Sequence, residues 1–286
     1  MTVDGGPRVV AIGGGHGLAM SLRAISTYAG HITAVVATGD DGGSSGRIRA
    51  ELPMPAPGDL RRCLSALAAD ETMAAGFEHR FHAGSLEGHA VGNLLLAGLV
   101  DAGHDLVAAA DLAARWLGLD PERARVLPAT IEPVDLVATS DGQEVRGQVA
   151  VEHAPGVRAI GFDPPAPAVP DDALEAIADA DQIVLGPGSF FTSVLAAAAI
   201  PSVAKAIESS PAVVVLVANL DADPAADVAT LAAHGITADT VVVHAGRPAP
   251  ETGDVRVVAA DVDRPNGRAH DPALLAAVLA TTISTK

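Results

Sequence analysis

Cysteine is almost absent from this 286-residue sequence. Cys63 stands alone, which excludes an internal disulfide and any cysteine cluster for a metal. Aromatic residues make up only 2% although 49% of the chain is hydrophobic, so the core must be built from Val, Leu, Ile and Ala. Cations are scarce too: 18 Lys and Arg face 35 Asp and Glu, the formal net charge is −17, and the first lysine is Lys205. That balance argues against nucleic acid as a partner, because phosphate backbones are held by clustered Lys and Arg. No apolar run reaches the roughly 18 residues of a membrane span, and the N-terminus shows neither a basic region nor a long apolar stretch. The expectation is a cytoplasmic protein with no membrane insertion.

Glycine is where the chain is rich. The apolar run Val9-Val10-Ala11-Ile12 stops in Gly13-Gly14-Gly15-His16-Gly17, after which Leu18, Leu22 and Ile25 recur at helical spacing. Strand, glycine turn and helix follow from that pattern. Such a turn brings backbone amides and the positive end of a helix dipole against an anion, or it serves only as a tight turn. A dinucleotide fingerprint would need a further glycine at Leu18 or Met20, and a Walker loop would need a Gly-Lys-Ser/Thr ending. Both fail, which sets aside an NAD-dependent oxidoreductase.

A second buried strand over His31–Ala37 runs into Thr38-Gly39-Asp40-Asp41-Gly42-Gly43-Ser44-Ser45-Gly46. Paired acids followed by glycines and hydroxyls at a strand's carboxyl end lie where open α/β sheets bind ligands. Arg47, Arg49, Arg61 and Arg62 fall close by, with Arg49 and Arg62 read as solvated surface charge. Asp59 is placed to cap a helix through Ala69 whose apolar face carries Leu60, Cys63, Leu64 and Leu67. A further helix spans His89–Leu99, in which Asn93 is either a ligand contact or a buried amide bonded to backbone. His79, His82 and His89 lack a carboxylate at ligand spacing and are read as solvated or packing residues.

From Arg125 to Phe162 the pattern becomes strand-like, with Ser140-Asp141-Gly142-Gln143 as a hairpin turn. Pro164, Pro165, Pro167 and Pro170 form a rigid connection, and Asp171-Asp172 open a helix. Gln182–Leu185 then ends in Gly186-Pro187-Gly188-Ser189 with a helix from Phe190, which repeats the logic of the first loop. A buried strand at Val213–Val217 leads to Asn219, and strands near Val241–Val243 and Val255–Val258 precede a last helix from Asp271 to Ile283. The expected organisation is an N-terminal part of a core over 1–124, a β-rich insertion over 125–163 and a C-terminal part of the core over 164–286.

These motifs occur together in one order: the Gly13 loop, Asp40-Asp41-Gly42-Gly43-Ser44-Ser45-Gly46-Arg47, Pro57-Gly58-Asp59-Leu60-Arg61, Gly88-His89-Ala90-Val91-Gly92-Asn93, and Gly186-Pro187-Gly188-Ser189 with Thr192-Ser193. The set resembles the YvcK family of gluconeogenesis factors, which includes the mycobacterial CuvA proteins and is a branch of the CofD-like superfamily. The resemblance implies a Rossmann-like three-layer α/β sandwich with a mainly parallel sheet and a small antiparallel β insertion. It also implies a cytoplasmic homodimer that binds a nucleotide diphosphate sugar of the UDP-N-acetylglucosamine type and acts in cell shape, envelope synthesis and growth on gluconeogenic carbon sources. Carried onto this chain, the ligand-binding set is Gly13, Gly14, Gly15, His16 and Gly17, then Gly42, Gly43, Ser44, Ser45 and Arg47, then Asp59, Arg61 and Asn93, and finally Gly186, Gly188, Ser189 and Asn219. The related 2-phospho-L-lactate transferase passes a phospholactyl group from a guanosine diphosphate carrier to a deazaflavin. If this chain is such an enzyme, Asp40 and Asp41 would hold Mg2+ or deprotonate an acceptor hydroxyl, and Arg47 or Arg61 would stabilise phosphate charge. The chain departs from the family's usual pattern at His16, at Gly39 and after Asn219-Leu220, where Asp221-Ala222-Asp223-Pro224-Ala225 stands.

Overall fold

The computed structural model describes residues 5–246, 251–264, 267 and 269–283. Strand β1 (Arg8–Gly13) is followed by α1 (Gly15–Ile25), β2 (His31–Val36), α2 (Gly43–Glu51), α3 (Gly58–Leu67), α4 (Glu71–Glu78), α5 (Val91–Asp101), α6 (Leu106–Trp116) and β3 (Ala124–Pro128). Next come β4 (Asp135–Ser140), β5 (Gln143–Arg146), α7 (Gln148–His153), β6 (Ile160–Asp163), α8 (Asp171–Ala178) and β7 (Gln182–Leu185). The chain closes with α9 (Leu195–Ala198), α10 (Pro201–Ser209), β8 (Val213–Val217), α11 (Pro224–Ala233), β9 (Thr240–His244), β10 (Arg256–Ala260) and α12 (Pro272–Thr281).

Seven strands form one parallel sheet in the order β10-β9-β8-β7-β1-β2-β3. Alternate residues of each strand feed two cores, as the period of a strand requires. Val10 and Ile12 join Ile183, Val214 and Leu216 on the face covered by α8, α10 and α11. Val9 and Ala11 join Val184 and Val215 on the face covered by α1, α3, α6 and α12, through Leu18, Leu22, Leu60, Leu64, Leu275 and Leu279. This is the three-layer α/β sandwich. Cys63 is fully buried in the second core. Among the described residues no single helix is long and apolar enough to cross a membrane.

The small antiparallel sheet has the order β5-β4-β6, with Asp141 (φ 49°) and Gly142 (φ 78°) turning the β4–β5 hairpin. Two positive φ values in a two-residue loop match the right-handed twist of the strands they join. The strand-like pattern from Arg125 divides between sheets: Ala124–Pro128 pairs in parallel with β2 as an edge of the main sheet, and the antiparallel sheet begins at Asp135. Helix boundaries also move. Asp59 is not the cap of α3, whose N-cap is Pro57; the carboxylate sits in the first turn and reaches elsewhere. The helix expected from His89 starts at Val91, because Arg80 and Ala90 form a β-bridge and the Phe81 N–H bonds the His89 carbonyl at 3.0 Å. The helix expected from Phe190 begins as a wide π-turn over Phe190–Val194.

The strand order changes direction of growth between β1 and β7. That switch point opens a crevice at the carboxyl edge of the sheet, the usual ligand position of open α/β folds. Gly13 ends β1 and Gly186 follows β7, so the two glycine loops flank this crevice.

Candidate functional site

Gly17 lets the two loops pack on each other: a Cβ there would lie 2.0 Å from the Pro187 carbonyl oxygen. Ser21 Oγ donates to the Gly186 carbonyl at 2.6 Å in the buried seam. Asn219 holds the Gly188 peptide at both ends, so the Gly188 N–H expected to face a phosphate is taken by a side chain. Ser189 Oγ accepts from Thr192 Oγ1 at 2.7 Å.

The first loop likewise meets an anion that belongs to the protein. A Cβ at Gly14 would lie 2.5 Å from Asp59 Oδ2, and the Asp59 carboxylate accepts the Gly15 N–H. Asp59 thus occupies the N-terminus of α1 that the sequence reading gave to a phosphate. It is buried and bonded to Arg62 Nη1 at 2.6 Å. Burial pushes its carboxyl above the ordinary carboxylate range; Arg62 opposes the shift and Asp40 adds to it.

The start of α2, by contrast, opens onto a cleft. Its N-cap, Gly42, makes no side-chain cap bond, and Gly42, Gly43, Ser44 and Ser45 all line a cleft of about 500 Å3. Gly15, Asp40, Gly58, Asp59, Arg62, Arg80, Asn93, Gln148, Val149, Glu152 and Ser193 complete the wall. The first turn of α2 thus shares one wall with Arg62 and Arg80, whose Nη1 donates to the Gly88 carbonyl at 2.7 Å. The antiparallel sheet contributes the far wall through α7, which Gln148 Nε2 ties to the Thr192 carbonyl at 3.3 Å.

Several expected site residues lie behind the cleft. Asp40 lines it, with Oδ1 accepting the Gly42 N–H at 2.9 Å, whereas Asp41 turns away and accepts the Val149 N–H at the start of α7 at 2.9 Å. The adjacent acids therefore do not act as one pair; the second carboxylate beside Asp40 is Asp59. A Cβ at Gly58 would fall 3.2 Å from Asp40 Oδ2 and 2.4 Å from Ser45 Oγ, so the absent side chain keeps this corner open. Arg47 is outside the lining and donates to the Glu87 carbonyl at 2.7 Å. Arg61 is only 1% exposed and pairs with Glu78 Oε1 at 3.0 Å. One residue along a helix is a rotation of about 100°, and that rotation gives Arg62 the cleft and Arg61 the interior. His16 is exposed at the start of α1, where local desolvation and then Arg62 hold it below its ordinary pKa. Arg49, read as surface charge, clamps α2 to the small sheet through the Val134 carbonyl at 3.0 Å and Asp135 at 2.8 Å.

Asn93 resolves into neither of its two readings alone: it lines the cleft, and its amide bonds side chains, with Nδ2 donating to Ser44 Oγ at 3.0 Å and Oδ1 accepting from Arg61 at 3.3 Å. Arg80, Gln148 and Glu152 are wall residues that the residue-level reading did not assign, and Ser193 entered only within the Thr192-Ser193 motif of the resemblance. The Asp59–Arg62 spacing of three was the available signal for Arg62; nothing in local pattern marks the others. Among the described residues no group of three or more His, Cys, Asp or Glu is placed to hold a metal, so His79, His82 and His89 form no such site. At the amino edge of the sheet a second cleft of about 230 Å3 is lined by Arg8, Arg125, Asp172 and Asp179, whose charges pair with one another.

The sequence matches the family described as 2-phospho-L-lactate transferase CofD over residues 9–269. A protein of Mycobacterium tuberculosis provisionally designated a gluconeogenesis factor is 40% identical, the match covering 95% of this chain and 89% of that one. The gluconeogenesis factor of Halalkalibacterium halodurans is 40% identical over 74% of this chain and 66% of its own length. The crystal structure of protein BH3568 from Bacillus halodurans matches with a TM-score of 0.87 at 30% identity, covering 96% of this chain and 99% of that one. With the switch-point crevice, the glycine loops and these matches in hand, the chain belongs to the CofD-like superfamily and, within it, to the YvcK family of gluconeogenesis factors.

Proposed function

We propose that the cleft binds a nucleotide diphosphate sugar of the UDP-N-acetylglucosamine type, and that the protein acts through this binding as a cytoplasmic regulator of cell shape, envelope synthesis and growth on gluconeogenic carbon. The observation that carries this reading is the uncapped start of α2, which opens with Arg62 and Arg80 into one cleft. A diphosphate presents two anionic groups, and backbone amides with a bidentate cation match them. The cleft volume is in the range of sites that take small organic ligands. Its position at the strand switch point supports the same reading. The phosphate seat proposed is α2, with the α1 loop acting through Asp59. Thermal unfolding with added ligand tests this. UDP-N-acetylglucosamine should raise the melting temperature, UMP should do so much less, and NAD should leave it unchanged. Equal shifts from UDP-N-acetylglucosamine and UMP would remove the diphosphate from the reading.

The second reading is a CofD-like transfer of a phosphoryl-linked group from a nucleotide diphosphate donor to an acceptor hydroxyl. The proximity of Asp40 to Asp59 favours it, because two carboxylates near a diphosphate fit Mg2+ better than they fit each other. Asp40 and Asp59 would hold the ion, which supplies charge neutralisation at the phosphates.

A further inference from the structure

Ser44 sits in the first turn of α2 with its hydroxyl in a directed network. Arg61 can only donate, so the Asn93 atom that faces it is the carbonyl Oδ1, and Nδ2 therefore donates to Ser44 Oγ. The other partner of Ser44 Oγ is His89 Nδ1, at 3.0 Å. If His89 also donated, the Ser44 hydrogen would have no protein acceptor; if Ser44 donates to Nδ1, all three groups are satisfied. Hydrogen-bond economy thus assigns the neutral Nε2–H tautomer to His89 and aims the Ser44 proton at its Nδ1. By this count one lone pair of Ser44 Oγ is left over, and Ser44 lines the cleft, whereas His89 is not part of the lining.

From this geometry we infer that Ser44 and His89 form a proton-accepting pair, serving an alcohol that attacks the phosphorus of a nucleoside diphosphate-linked donor in the cleft. The inference rests on the second reading of the cleft, as the site of a transfer from a nucleotide diphosphate donor. The alcohol oxygen forms the new O–P bond, and the bond from that phosphorus to the bridging oxygen breaks, its electron pair leaving with the nucleoside monophosphate. The alcohol proton passes to Ser44 Oγ while Ser44's own proton passes to His89 Nδ1. The imidazolium then returns a proton to solvent from its partly exposed side. The groups facing His89 support a neutral ring at rest. Desolvation, then Arg47 from α2 and Arg80 from the bridge to Ala90, hold it below its ordinary pKa of 6.5. Asn93 is a positioning residue here, since it fixes which way the hydroxyl points.

A small fluorophosphonate tests the pair without knowledge of the acceptor. Attack by Ser44 Oγ on its phosphorus forms an O–P bond, expels fluoride and delivers the proton to His89. Intact mass and peptide mapping should show one adduct, on Ser44, whose rate climbs with pH to a plateau through a midpoint below 6.5. In His89→Gln the rate should fall at least tenfold. Should that variant not fold, nitrogen chemical shifts of the native His89 ring decide instead: the Nε2–H tautomer supports the pair, and Nδ1–H overturns it. An unlabelled Ser44, or one that labels equally fast in folded His89→Gln, also overturns it. The thermal shift with UDP-N-acetylglucosamine reports on the ligand separately. A shift without labelling removes the pair alone, while labelling without a shift keeps the pair and removes the UDP-sugar.

Discussion

Asn219 clamps the peptide at Gly188: its Oδ1 accepts the Gly188 N–H at 3.1 Å, and its Nδ2 donates to the Gly188 carbonyl at 2.6 Å. An amide side chain that mimics a strand neighbour in this way fixes the β7 loop from the end of β8. Asn219→Ala should therefore cost about 1 to 3 kcal/mol in urea unfolding, the net value of two such bonds. Asn219→Asp keeps the acceptor and loses the donor, so it should fall between the two. If Asn219 instead touched ligand directly, both variants would lose affinity with unchanged stability.

Asp227 on α11 offers a test in which the sign is fixed. Burial, and then Asp223, raise its pKa from 3.8 to about 6. A carboxyl raised in the folded state binds its proton more tightly there than in the unfolded chain. Its contribution to stability is therefore fully present below 3.8 and is lost as pH rises through about 6. Asp227→Asn should thus gain on the native protein between pH 4 and pH 7. With solvent screening discounted, the gain is about 1 kcal/mol. Urea midpoints at the two pH values measure it, and a constant difference would show that the group is not strained by burial.

Much of the fold is legible in the chain. Val9–Ile12, Ile183–Leu185 and Val213–Val217 are continuous apolar runs because parallel strands are covered on both faces. The carboxyl-edge loops could be placed for the same reason. What local pattern does not carry is the pairing of distant side chains. Asp41 and Val149 are 108 residues apart, and only the folded small sheet brings them together. The same holds for Asp59 on the Gly15 amide, where helix propensity alone made the residue a cap. The glycines gave a correct turn and an incomplete reason for it: at Gly17 the small residue serves backbone packing against Pro187.

Arg61 and Arg62 are neighbours in sequence with opposite predicted phenotypes. Arg61→Ala removes a buried guanidinium that bonds Glu78 and Asn93, which should cost about 3 kcal/mol of stability. Arg62→Ala removes a cation from the cleft wall and should weaken UDP-N-acetylglucosamine binding at least tenfold, about 1.4 kcal/mol or more. Calorimetric titration and urea unfolding of both variants separate the roles. A reversal, with Arg61→Ala stable but unable to bind, would return Arg61 to the ligand.

Asp40 and Asp41 part in the same manner, and Mg2+ distinguishes them. Asp41 caps α7 from a distance, so Asp41→Ala should cost about 1 kcal/mol, as lost helix caps do, and leave any Mg2+ effect on ligand binding intact. Asp40 stands with Asp59 at the corner that Gly58 keeps open, so Asp40→Asn should abolish that effect. Binding of UDP-N-acetylglucosamine to the native protein is measured with Mg2+ and with EDTA, then repeated for each variant. Loss of the Mg2+ effect in Asp41→Ala alone would place the ion beside α7. Binding that ignores EDTA in the native protein would remove the ion altogether and leave Asp40 and Asp59 as acceptors for ligand hydroxyls, a role that their carboxylate oxygens can fill without a metal.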